Sequence, residues 1–191
     1  ISAASGSVNM NAVNDVTIND GSITANAVNV TVPEMLVNGG TIKATTLEAS
    51  QNMAVAGGTI NAATVQANNA MTVTGGTITA TEVASGGTMT LAGGTVNAAN
   101  VIATGAMDIT GSTVNTGTGE GLIKAASINM IAGQVNGNVL NVNATGDFMQ
   151  SGGSIIAKTT SINAGTDITI SGGKLQATIA VLEADNNIKL N

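Results

Sequence analysis

Eleven Asp or Glu and five Lys are the whole charged complement of this 191-residue chain. Asp147 and Asp167 stand twenty residues apart, with Asn187 following at the same step. Two carboxylates sharing a corner could hold Ca²⁺, a hard cation that takes oxygen ligands. Calcium-binding solenoids, however, carry acid in every loop, whereas the acids here are scattered. Solvated turn residues beside Gly146 and Gly165 are the plainer reading. Glu48 and Glu82 are isolated, and Glu120 is the single ionisable group of the longest irregular stretch, Gly117 to Leu122. His, Cys, Arg, Tyr and Trp are absent. No imidazole base, thiolate nucleophile or ordinary transition-metal set can therefore be assembled. Polysaccharide-cleaving β-helices need clustered acids for proton transfer, with cations and aromatic platforms for the sugar. The sequence predicts no catalytic residue, no metal, no cofactor and no small-molecule substrate. A net charge of -6 argues against nucleic acid as a partner.

Hydroxyls and amides are the remaining polar groups, and a strong internal repeat arranges them. Met35, Met53, Met71, Met89 and Met107 recur every 18 residues. Gly39, Gly57, Gly75, Gly93 and Gly111 keep the same step, as do Thr41, Thr59, Thr77, Thr95 and Thr113. Ile42, Ile60, Ile78, Val96 and Val114 follow, and Leu47, Val65, Val83 and Val101 form a further apolar series. After Gly111 the register loosens, then returns with a step of 20 in Ile128, Phe148, Ile168 and Ile188. Val135, Ile155 and Leu175 keep that step, and so do Val142, Ile162 and Leu182. Val16 and Ile18 precede Met35 and Val37 by 19, with Met10 closing an earlier turn.

Within each repeat the apolar residues alternate, as in Met53, Val55 and Ile60, Ala62, and a period of two is that of a strand. Strands of two to four residues cannot stand in a hairpin, so each must lie parallel and in register on its counterpart in the next repeat. Gly-Gly or Asn-rich corners then turn the chain. The fold expected is an all-β, single-stranded parallel β-helix of about nine triangular coils of 18–20 residues. Residues 1–191 form one solenoid segment: mostly 18-residue coils over 1–111, an irregular coil over 112–127, and 20-residue coils over 128–191. Nine steps at roughly 4.8 Å give a rod of about 43 Å. Inward Ala keeps the section narrow, and the Met column reads as core packing, since soft-metal sites need convergent ligands.

Outward columns must carry any function. The Thr column has a plain reading as β-favouring residues whose hydroxyls bond along the stack. Its sharper reading is an ice-matching array. Two outward columns, Leu36, Ala54, Thr72, Thr90, Asp108 and Asn38, Ala56, Thr74, Ala92, Thr110, are too mixed for a lattice match. Asn61, Asn97 and Asn115 align with Lys43 and Thr79 and read as a stacked amide ladder, with an adhesive face the alternative. The ends lack any recognisable cap, and the chain starts at Ile1 rather than Met. A segment cut from a longer rod is expected, with neighbouring coils of the parent as its first partners.

The segment AGTDITISGG, Ala164 to Gly173, with Lys174 to Ala177 closing it, resembles the repeats of filamentous haemagglutinin-like exoproteins. ATGDFMQSGGSIIA, Ala144 to Ala157, and ATGAMDITGSTV, Ala103 to Val114, are similar. The GGTI coils at Gly57 and Gly75, and GGTV at Gly93, follow the pattern at 18 residues, shorter than that family's 19–20. The resemblance covers residues 100–191 well and the rest loosely. It implies a right-handed coil, secretion across both membranes of a Gram-negative cell through an outer-membrane partner, and a shaft that presents adhesive or toxin-bearing tips to host or bacterial cells. It carries over no catalytic residue. The competing reading is a head-to-tail cytoskeletal solenoid such as a bactofilin, favoured by the 18-residue period. Against it stand the low charge and the Thr/Asn/Gly-rich exterior. A trimeric fibre shaft is a third reading.

Overall fold

The computed structural model describes the backbone of residues 1–191 and every side chain except that of Ala4. It is all-β, with 24 strands in one continuous sheet. Each strand pairs in parallel with its counterpart one coil away, as Met53 does with Met35 and Met71. The chain is a β-solenoid with three faces.

The first face shows how repeats become a column. Val16, Met35, Met53, Met71, Met89, Met107, Ile128, Phe148, Ile168 and Ile188 pair in that order. Ten turns therefore stack, one more than the nine expected, joined by nine steps. Met35, Met89, Met107 and Ile168 are fully buried, and Met53, Met71, Ile128 and Phe148 are nearly so. The second face stacks Ile42, Ile60, Ile78, Val96, Val114, Val135 and Ile155. The third stacks Leu47, Val65, Val83, Val101, Ile123, Val142 and Ile162. Removing a side chain of this size from water stabilises by about 1.5–3 kcal/mol, so these three columns dominate the fold.

Strand lengths differ from expectation. Many strands have three or four residues, but Ser22–Thr31, Thr77–Ser85 and Thr95–Ala103 run unbroken from the second face into the third. Met107–Asn115 and Ile128–Asn136 do the same between the first and second faces. A shallow corner lets the ladder continue around the bend, which short repeats alone do not reveal.

The change from 18 to 20 residues per coil falls at one corner. Met53 to Ile60 and Phe148 to Ile155 are both seven residues, so the first-to-second corner is constant. From the second face to the third, Ile60 to Val65 is five residues, Val114 to Ile123 is nine, and Val135 to Val142 is seven. The extra length becomes strand. Thr46–Ala49 and Thr64–Ala67 have four residues, whereas Glu120–Ala125, Val139–Ala144, Thr159–Ala164 and Ile179–Ala184 have six. The longer strands add an inward column of Gly121, Leu140, Thr160 and Ala180. The solenoid therefore widens after residue 120, and Phe148 lies in the wide part.

Stacking itself dictates the Gly-Gly corner. A Cβ at Gly57, Gly75 or Gly93 would come within 3.0 Å of the carbonyl oxygen of Asn38, Ala56 or Thr74 in the coil before. The second glycine of each pair, such as Gly58 or Gly76, also needs φ near +73° or +72°. These two constraints separate experimentally. Gly57→Ala adds a clash without a positive φ, Gly117→Ala adds a positive-φ penalty in open space, and Gly119→Ala adds neither. Thermal unfolding by circular dichroism should rank Gly57→Ala as the most destabilising. Gly117→Ala should cost about 1–2 kcal/mol, and Gly119→Ala should match the parent.

Candidate functional site

Outward side chains form ladders in which the amide or hydroxyl of one coil bonds its counterpart in the next. The column read as Lys43, Asn61, Thr79, Asn97 and Asn115 continues to Asn136. Asn115 Nδ2 donates to Asn97 Oδ1 at 2.8 Å, and Asn136 Nδ2 donates to Asn115 Oδ1 at 2.9 Å. Asn38 donates to Asn19 and Asn163 to Asn143 in other columns. Among the described residues, the Thr41, Thr59, Thr77, Thr95 and Thr113 hydroxyls do not bond one another. The ladder expected there runs two residues on, through the amides.

The ladders share one direction. Every hydrogen bond between side chains of successive coils, among the described residues, has its donor in the later coil. Reversing one amide within such a column would set two N–H groups face to face at one junction and two carbonyls at the other. Orientation therefore propagates along a column. Carboxylates, which can only accept, occupy the acceptor rung: Glu48 receives Asn68, and Asp108 receives Asn129.

Asp147, Asp167 and Asn187 follow the same rule. They stack at one corner, as their spacing predicts. Asp147 Oδ1 accepts from the Thr166 hydroxyl and from the Asp167 backbone N–H, the latter at 3.2 Å. Asp167 Oδ1 accepts from the Asn187 backbone N–H at 3.1 Å and from its Nδ2 at 3.0 Å. The Thr166 hydroxyl, with the Asp167 N–H second, holds the Asp147 carboxyl below its ordinary pKa. Among the described residues, no group of three or more His, Cys, Asp or Glu converges on a point that could hold a metal ion. Glu82 pairs with Asn100 and Thr64 in the third face, away from these carboxylates.

The concave site lies where the section widens. Thr116–Gly119 is extra length at the second-to-third corner and projects as a ridge. Thr116 is turned inward and buried, its side chain filling the space that a Cβ on Gly121 would need. Its Oγ1 donates to Asn136 O at 3.2 Å, and Asn138 Nδ2 donates to Thr118 O at 2.8 Å. One hollow of about 280 Å³ lies on the N-terminal flank, over Ala80, Asn97, Ala98, Ala99 and Asn115. A second of about 360 Å³ lies on the other flank, against Asn136, Gly137 and Asn138. Both reach Asn115 and Gly117. Glu120 stands exposed just past the ridge. The interruption at Gly117 to Leu122 is visible in the sequence. Its hollows depend on the tighter Ala98–Ala99 corner beneath, which no motif announces.

Comparison with protein-family models, with curated proteins and with solved structures finds no match for this chain.

Two outcomes test the ladders. Asn97→Asp keeps its acceptor role toward Asn115 and gives up only a 3.5 Å contact with Thr79. Asn136→Asp loses a donor and sets a carboxylate against Asn115 Oδ1. Asn136→Asp should be the less stable at neutral pH, by about 1 kcal/mol or more in chemical denaturation; equal stabilities would refute directional ladders. For Asp147 the folded pKa lies below the unfolded one, so its contribution is present above the unfolded value of about 3.9 and is lost as pH falls through the folded value. The melting-temperature advantage of the parent over Asp147→Asn should therefore shrink on acidification from about pH 5.

Proposed function

We propose that this chain is a non-catalytic shaft segment of a secreted bacterial surface adhesin of the filamentous haemagglutinin-like kind. The observation that carries the reading is the use made of the exterior: column after column of outward amides and hydroxyls is engaged in bonding one coil to the next. An exterior so engaged serves persistence of a rod. The AGTDITISGG-type repeats that suggest the family belong to the wide coils. In this role the coils join neighbouring coils of a longer parent, exported through an outer-membrane partner, and hold a cell- or host-binding tip away from the surface.

The bactofilin-like alternative is favoured by the 18-residue steps between Met35 and Met107. Head-to-tail stacking of identical copies asks one section to overlay another. Four-residue third-face strands at Thr46–Ala49 and six-residue ones at Ile179–Ala184 do not overlay. The shaft reading tolerates such a change, because each coil meets only its own neighbours.

Antibodies raised against the folded 191-residue chain provide the test. They should label intact cells of the source organism, and external protease should remove the signal. Labelling that appears only after permeabilisation, together with filaments of the purified chain in sedimentation, would overturn the shaft reading in favour of an internal scaffold.

A further inference from the structure

We propose that the groove beside the Thr116–Gly119 ridge binds a neutral oligosaccharide. The two hollows share Asn115 and Gly117 and together run from Ala80 to Asn138. That span crosses four coils, about 14 Å along the axis at a 4.8 Å spacing, enough for a short chain of sugar rings.

The floor is the directional ladder of Asn97, Asn115 and Asn136. Asn115 spends one N–H on Asn97 and one lone pair on Asn136. A primary amide has two N–H donors and two acceptor lone pairs, so one of each remains to Asn115 for a ligand. Adjacent rungs repeat this at coil spacing, giving evenly placed neutral donors and acceptors. Vicinal hydroxyls, each both donor and acceptor, match that pattern, and the spacing is comparable with the advance of one ring in an extended glycan. Ala80, Ala98 and Ala99 offer methyl surface for the C–H face of a ring. No ionisable side chain lines either hollow, which favours an uncharged ligand. An extended peptide would seek an open sheet edge, whereas the strands here, such as Thr95–Ala103, are paired on both sides.

The groove is also held in advance of binding. The ladder fixes the amides, while Thr116 and Asn138 tie the ridge to the coil above. A pre-ordered site loses less freedom when occupied. Aromatic stacking is not available, so affinity should be millimolar and rest on hydrogen bonds.

The test is a ¹H–¹⁵N NMR titration of the 191-residue chain with maltotriose, cellotriose and triacetylchitotriose, with a galacturonic acid trimer and an extended polar peptide as controls. Saturable shifts at Asn97, Asn115, Gly117 and Asn138 are expected with at least one neutral trimer. Asn138→Ala should weaken binding about fivefold, the value of one hydrogen bond. Ala99→Glu, which leaves the ladder intact, should abolish it with the remaining spectrum unchanged. Absence of saturable shifts with all three neutral trimers, tighter binding of the anionic trimer or of the peptide, or insensitivity to Ala99→Glu would each overturn the proposal. It requires only the groove, so its failure would leave the shaft reading standing, and failure of surface labelling would leave the groove standing.

Discussion

Coil-on-coil register is the constraint on which the rest of this structure depends. A parallel strand bonded above and below must meet its neighbours at one spacing on all three faces at once, so every corner must turn through the same space as the corner beneath it. This is why Gly57 lies over Asn38 O and Gly75 over Ala56 O with no room for a Cβ. It is also why an outward Asn finds an amide one coil away and bonds it. Each ladder bond adds about 1 kcal/mol, against larger contributions from each buried Met, Ile or Leu. The ladders therefore tune and orient a stack that the inward columns hold together.

The inward columns were legible in the sequence because stacking makes neighbours of residues one repeat apart. Met35 to Met107, then Ile128, Phe148 and Ile168, read as one series and form one buried column. What the sequence left unread depends on differences between coils. An unbroken strand such as Thr77–Ser85 reflects how sharply a corner bends, not which residues alternate. The common direction of the ladders is a property of whole columns and has no signature in a single Asn. The added column of Gly121, Leu140, Thr160 and Ala180 is spread over four coils, and its members share no residue type.

The widening at Thr116–Gly119 links architecture to function. Inserting length at a single corner preserves the register of the first two faces, lengthens the third, and raises a ridge between two hollows. The result is a rod whose surface is uniform along most of its length and sculpted at one level. The coils on either side would act as spacer, and the ridge as the place where a neutral surface could gain selectivity. The candidate carboxylates resolve differently: Asp147 and Asp167 are acceptor rungs of a ladder, each engaged by donors from the next coil.

The central claim is that register, coil by coil, specifies this fold. Excising Met71–Thr88, one complete coil of 18 residues, brings the Met53 coil directly under the Met89 coil. Excising Met71–Gly87 instead leaves the chain one residue out of step and turns inward residues outward. Thermal unfolding of the two variants by circular dichroism is the most direct measurement. The account predicts that the 18-residue excision unfolds cooperatively close to the parent's melting temperature, while the 17-residue excision loses cooperativity or fails to fold. Equal tolerance of both excisions, or collapse of the 18-residue one, would contradict it.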